Sequence, residues 1–250
     1  RKSKQNTGFK MARARAESMR KINMRYHVEF DIDLKRNPYK GLYIAVEGVD
    51  GSGKTTQVDK LTKYFEKLGR EVVRTHEPRR DGVMGKLVQQ VLEEKIKIPA
   101  VAIQYLFAAQ RAVHLEELVI PSLEKGDVVV TDRCFWSSIP YGLLDRFESG
   151  KDENADQLLA SLSVLSMYHG FITPDATFIL DVSIETASKR LAKKTKAAEL
   201  YEKKEKLNKI KKGYSFLLSR FSDSLSLVNA EGPIDDVTAR IVAIINKIKK

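Results

Sequence analysis

Leu42-Tyr43-Ile44-Ala45-Val46-Glu47 runs directly into Gly48-Val49-Asp50-Gly51-Ser52-Gly53-Lys54-Thr55. The first six residues have the length and apolarity of a buried strand, and the next eight fit G-x-x-x-x-G-K-[ST]. Glycines at such a turn let backbone N–H groups converge on phosphate oxygens where a β-carbon would obstruct. Thr55–Leu68 carries the apolar spacing of a helix, whose positive dipole end points at the same spot. Lys54 is placed to reach the β- and γ-phosphates of a triphosphate, and Thr55 to offer a hydroxyl to Mg²⁺. The expected grip on ATP and Mg²⁺ is therefore Gly48, Gly51, Ser52, Gly53, Lys54, Thr55 and Thr56.

Outward from this loop, strands and helices alternate. Strands are predicted at Glu71–Thr75, Asp127–Thr131, Ala176–Val182 and Leu225–Asn229. Helices are predicted over 84–94, 101–124, 154–168, 184–193, 203–221 and 234–249, with Pro121 near the end of the second. Short apolar strands separated by helices argue for an α/β fold, a five-stranded parallel sheet covered on both faces. Ligands of such sheets bind beyond the carboxyl ends of the strands. Upstream, Val28, Phe30, Ile32 and Leu34 alternate with polar residues, which predicts a half-exposed strand ended by Asn37-Pro38.

Residues 1–40 hold 12 Lys or Arg against 4 Asp or Glu, a net +8 of the chain's +11. They read as a basic N-terminal extension ahead of a nearly balanced body at 41–250. A solvated arm, a segment drawn to nucleic acid and a transit peptide all suit that composition. No run of 18 uncharged apolar residues exists, so no membrane span is expected. The single cysteine, Cys134, precludes an intrachain disulfide and suits a reducing compartment. The four histidines (His27, His76, His114, His169) are scattered and give no metal-ligand spacing.

A phosphate loop alone does not separate kinases from GTPases or motor ATPases. No Asn-Lys-x-Asp guanine motif occurs, and the third strand ends Val130-Thr131-Asp132-Arg133 rather than Asp-Glu. Three further segments narrow the reading: Thr75-His76-Glu77-Pro78, Leu106-Phe107-Ala108-Ala109-Gln110-Arg111, and Asp132-Arg133 through Ser137-Ser138-Ile139-Pro140-Tyr141. With the loop, their order and spacing resemble the thymidylate kinase family over roughly residues 41–248. The resemblance implies a P-loop NTPase-type three-layer sandwich with a short lid at about 193–204. It implies transfer of the ATP γ-phosphoryl group to dTMP, giving dTDP, in a cytoplasmic homodimer. A phosphate nucleophile, with its second pKa of about 6, needs no general base, so cations and positioning carry the catalysis.

By resemblance, Phe107 stacks on thymine and Arg111, on the same helix face, donates to its O4. Ser138 meets the pyrimidine edge, while Tyr141 and Tyr201 lie beside the sugar. Asp50 and Glu47 face the acceptor sugar and the catalytic cations. Arg133 approaches the acceptor phosphate, Arg79 is a candidate clamp, and Asp132 joins Thr55 at Mg²⁺. Lys54, Asp50 and Arg133 are the implied catalytic residues.

The chain departs from the family pattern in four places. Cys134 replaces an aromatic after Asp132-Arg133, Gly142 stands where Gln is common, and Arg79-Arg80 follow Glu77-Pro78. No arginine lies between Arg190 and Arg220 to serve as a lid arginine, so Lys193, Lys194 and Lys196 must substitute, with Lys194 expected to act. Lysine offers a point charge instead of a planar fork, so lower turnover is expected. Two alternatives stay open: a kinase for another deoxynucleotide or deoxynucleoside, and a catalytically weak nucleotide-binding protein.

Overall fold

The computed structural model describes residues 31–147, 163, 165–192 and 197–248, with backbone alone at 100, 101, 143–147 and 197–203. Asp33–Lys250 make one compact unit, and the description concerns that unit. Its centre is a parallel sheet of β2 (Leu42–Glu47), β3 (Val72–His76), β4 (Val128–Asp132), β6 (Ala176–Asp181) and β7 (Ser226–Asn229). They lie in the order β3-β4-β2-β6-β7. The central strand is buried from Tyr43 to Glu47, as expected of a strand covered on both faces. Register places Val46 beside Asp132 and His76 beside Asp132, so Glu47, His76 and Asp132 gather at one carboxyl edge.

Around the sheet run α1 (Lys54–Lys67), α2 (Gly82–Leu92), α3 (Ala100–His114), α4 (Ile120–Lys125), α5 (Ser138–Phe147), α6 (Ile184–Ala192), α7 (Ala197–Arg220) and α8 (Ile234–Ile245). α1 buries Val58, Leu61 and Phe65 at spacings of three and four, the stripe that seats it on the sheet. The helix expected over 101–124 is present but divided by a π turn at Leu115–Val119. Pro121, without an N–H and with a ring that crowds the preceding turn, accounts for the wider winding just before it. α5 was not foreseen; Pro140 lies in its first turn, where the missing N–H costs nothing.

The strand expected over 28–34 differs. Residues 31–34 are not strand, and pairing falls at β1 (Lys35–Arg36), parallel to β5 (Ile172–Thr173). Alternation marked a half-exposed edge but not its register. The register is set by Asn37, which donates to Gly41 O at 2.9 Å and to Asp175 Oδ2 at 2.7 Å. Residues 28–30, most of the helix expected over 154–168, and lid residues 193–196 lie outside the described residues.

Candidate active site

Three glycines shape the loop between β2 and α1. Gly48, Gly51 and Gly53 have φ of 138°, 82° and 101°, a region that L side chains rarely adopt. At Gly51 a β-carbon would also stand 2.5 Å from Ala187 O, so the loop seats against α6 only without a side chain. Lys54 Nζ donates to Val49 O at 3.0 Å and lies 3.6 Å from Asp50. Burial, reinforced by the Arg133 charge, pulls the Lys54 ammonium down to about 8, with Asp50 and Asp132 partly offsetting this. Ser52 Oγ is buried with no hydrogen-bond partner in the structure. A buried hydroxyl so placed in a ring of backbone donors suits an anion.

The loop opens into a cleft of about 1340 Å³. Asp50–Gln57, His76–Arg80, part of α2, Asp132, Arg133 and Arg190 line it. Thr55 Oγ1 donates to Asp132 Oδ2 at 2.6 Å. Both residues line the cleft, and an all-oxygen pair suits a hard cation that keeps most of its water.

Arg133 is held from every side. Its Nη2 donates to Asp50 Oδ1 at 2.5 Å and Tyr141 OH at 2.9 Å, and its Nη1 to Gly48 O at 3.3 Å and Ser137 Oγ at 3.1 Å. Burial works against its charge, but the oxygens of Tyr141, Tyr214, Asp50 and Glu47 outweigh that and keep it protonated. Burial would likewise raise the Asp50 carboxyl, but Arg133 and Lys54 hold it below the usual range. Glu47 is fully buried and accepts from Cys134 N, Ser137 N, Ser137 Oγ and Tyr214 OH. It is a structural anchor under Arg133 and does not line the cleft.

A second buried pair stands behind the first. Arg111, 5% exposed, donates from Nε to Glu77 Oε2 at 2.5 Å and from Nη1 to Ser138 Oγ at 3.2 Å. Its guanidinium lies 4.8 Å over the Tyr168 ring. His114 Nδ1 meets Glu77 Oε1 at 3.2 Å, and its Nε2 meets Thr75 Oγ1 at 2.9 Å.

The structure thus brings Lys54, Asp50, Thr55, Asp132 and Arg133 together. Gly51, Ser52, Gly53, Thr56 and Arg79 also line the cleft, whereas Gly48, Phe107, Arg111, Ser138 and Tyr141 do not. Phe107 is half-buried, and Arg111 makes the ion pair with Glu77. Arg79 is engaged by Asp81 and Glu117, which leaves Arg80 the more exposed of the two arginines on the cleft. Lys194 and the Tyr201 side chain lie outside the described residues.

Two residues went unassigned in the sequence. Arg190 lines the cleft and donates to Gly51 O at 3.3 Å, Ser52 O at 3.1 Å and Ala230 O at 3.3 Å. Tyr214 lies buried against Glu47. The available signal was a hydroxyl on the otherwise apolar stripe Leu207, Ile210, Leu217.

The model of the family described as thymidylate kinase matches residues 46–241. "Probable thymidylate kinase" of Pyrococcus horikoshii is 34% identical over 212 residues, 82% of this chain and 96% of that protein. "Probable thymidylate kinase" of Thermococcus kodakarensis is 34% identical over 215 residues, 83% of this chain and 98% of that protein. "Thymidylate kinase" of Bifidobacterium longum subsp. infantis is 40% identical over 156 residues, 60% of this chain and 63% of that protein. A match across most of the chain, on a phosphate loop opening into this cleft, means that the chain belongs to the thymidylate kinase family.

Proposed function

We propose that the cleft receives ATP at the Gly48–Thr56 loop and dTMP on the Arg133 side, and passes the γ-phosphoryl group between them. The chain is an ATP-dependent nucleoside monophosphate kinase of the family named above, and neither alternative substrate reading is favoured by the comparisons. The observation that carries the assignment of sides is Arg133. It is a permanently charged fork lining the cleft, bridged by Asp50 to the loop that carries Lys54.

In this reading Lys54 and the loop amides draw charge from the β- and γ-phosphates, and Ser52 Oγ gains a partner on binding. Thr55 and Asp132 would hold Mg²⁺, which supplies charge neutralisation at the phosphates. Arg133, with Arg80 or Arg79, orients the acceptor phosphate so that its oxygen attacks in line. The phosphoanhydride bond between the β–γ bridging oxygen and the γ-phosphorus breaks as the new P–O bond to the acceptor phosphate forms, and the bond's electron pair leaves on the β-phosphate of ADP. Arg190, beside Ala230 and the cleft wall of Gly232 and Ile234, borders the donor's base. The family resemblance assigns the acceptor sugar to Asp50, Tyr141 and Tyr201 and its base to Phe107, Ser138 and Arg111; of these only Asp50 lines the described cleft, so the base contacts rest on the resemblance alone.

Lys194, with Lys193 and Lys196, supplies the lid charge; replacing all three by Ala should lower turnover with dTMP. Val83, Leu87, Tyr105 and Val113 on α2 and α3 are exposed, Val83 by 83%, and are the candidates for a homodimer contact. Light scattering tests it, and a monomer at all concentrations would refute it. Among the described residues no helix is long and apolar enough to cross a membrane; a cytoplasmic location is the reading drawn from the family resemblance. The basic segment 1–40 is the candidate for any contact with nucleic acid; salt-sensitive retention that survives its deletion would count against that role.

The decisive experiment is an acceptor panel of dTMP, dUMP, UMP, dCMP and thymidine, followed by ADP release. dTMP should give the highest kcat/KM. Highest turnover with thymidine would overturn the substrate assignment.

A further inference from the structure

We infer that Tyr214 is a positioning residue that ties α7, the helix carrying residues 197–204 of the lid, to Arg133 and so sets where an acceptor phosphate is received. This deepens the reading above and rests on Arg133 meeting that phosphate.

Glu47 and Arg133 carry opposite charges at the base of the site, but Arg133 Nη1 is 3.8 Å from Glu47 Oε2, beyond hydrogen-bond reach. Two hydroxyls fill the gap. Tyr214 OH donates to Glu47 Oε2 at 2.7 Å and accepts from Arg133 Nη1 at 3.3 Å. Ser137 Oγ donates to the same Oε2 at 2.6 Å and accepts from the same Nη1 at 3.1 Å. Each hydroxyl has one hydrogen for the carboxylate and lone pairs for the guanidinium, so the direction of both bonds is fixed. Burial and the Glu47 charge raise the Tyr214 phenol, which keeps that hydrogen in place. Arg133 itself has φ 74°, an unfavourable conformation for a non-glycine residue that must be maintained by its surroundings.

Tyr214 reaches this position because its neighbour is glycine. A β-carbon on Gly213 would stand 2.7 Å from Pro140 Cα and 2.9 Å from Pro140 Cβ. α7 therefore lies against α5 closely enough only with Gly213. α5 in turn supplies Tyr141, whose hydroxyl accepts from Arg133 Nη2 at 2.9 Å. The two nitrogens of the fork are thus held from two helices, and movement of α7 is transmitted to Nη1 through one phenol. Without the Tyr214 hydroxyl, Nη1 would keep Ser137 Oγ and Gly48 O but lose its link to α7.

The test compares dTMP with thymidine, which lacks the phosphate, by calorimetry on the full chain, with ATP as control. Tyr214→Phe, an isosteric change, should weaken dTMP about tenfold and alter thymidine and ATP by no more than about twofold. Arg133→Ala should abolish most of the preference for dTMP over thymidine. If Arg133→Ala abolishes that preference and Tyr214→Phe leaves it intact, the inference fails while the assignment of Arg133 stands. If Arg133→Ala leaves it intact, both fall. Equal weakening of all three ligands in Tyr214→Phe, with a lowered unfolding temperature, would mark a merely structural role and also overturn the inference. Gly213→Ala is the second variant: it keeps the hydroxyl but moves the helix, and the same selective loss of dTMP is expected, whereas uniform loss counts against coupling.

Discussion

At the proposed donor end of the cleft stand eight consecutive residues, Gly48–Thr55, with three glycines at positive φ. At the acceptor end, Arg133 is held by Gly48, Asp50, Ser137, Tyr141 and Tyr214, and Arg111 by Glu77, Cys134 and Ser138. The donor grip is mostly backbone, set by local conformation. The proposed acceptor grip is side chain, with two guanidinium forks held beside the buried carboxylates Glu47 and Glu77. The first depends on what may not be added to a residue, and the second on what may not be removed.

That contrast can be broken most forcefully at Lys54, the cationic side chain that the loop directs at the donor phosphates in the proposed reading. Lys54→Met should lower kcat by about a thousandfold, read as dTMP-dependent ADP release. A loss under tenfold would mean the backbone amides suffice alone. At the acceptor end, Glu77→Ala leaves the buried Arg111 charge unpaired and should cost about 3 kcal/mol of stability in denaturant unfolding. A cost near zero would show that Arg111 swings out to solvent.

Gly51→Ala sharpens the donor side, since it adds one carbon at φ 82° against Ala187 O. ATP affinity should fall about tenfold with dTMP affinity unchanged, as measured by calorimetry. Parallel loss of both would mean the loop strain spreads across the cleft.

The smallest expected effect concerns pH. Burial alone would raise the Glu77 carboxyl, but Arg111, and then His114, outweigh it and hold it below the ordinary 4.5. A depressed carboxylate contributes stability that is fully present above about pH 4.5 and lost as pH falls through the lower native value. Glu77→Gln should therefore show a shallower loss of stability below pH 4.5 than the parent chain. Identical slopes would mean the pair adds nothing to acid sensitivity.

The same contrast explains what could be read in the sequence. Gly48–Thr55 is contiguous, so its spacing alone locates a strand, a turn, a helix and a phosphate cradle. The five-stranded sheet was legible because its three inner strands are short apolar runs, and its partly exposed edge strands β3 and β7 keep Val72-Val73 and Leu227-Val228 between helices. Arg133 and Asp132 were legible as a pair at a strand end. What holds Arg133 was not, because Glu47, Ser137 and Tyr214 meet only after chain segments far apart are packed. Tyr214 in particular looks like one more core position on α7 until Gly213 is seen to bring it against Pro140. Arg111 shows the converse: its spacing from Phe107 suggested a shared ligand face, yet in the fold its nearest charge is Glu77.

The division of labour between the two ends is tested most directly by equilibrium binding of ATP and of dTMP to Lys54→Met and Arg133→Ala. The account predicts that Lys54→Met loses ATP while binding dTMP as the parent does, and that Arg133→Ala loses dTMP while binding ATP as the parent does. If each variant weakened both nucleotides alike, or if ATP displaced dTMP from a single shared site, the two-ended cleft would be contradicted.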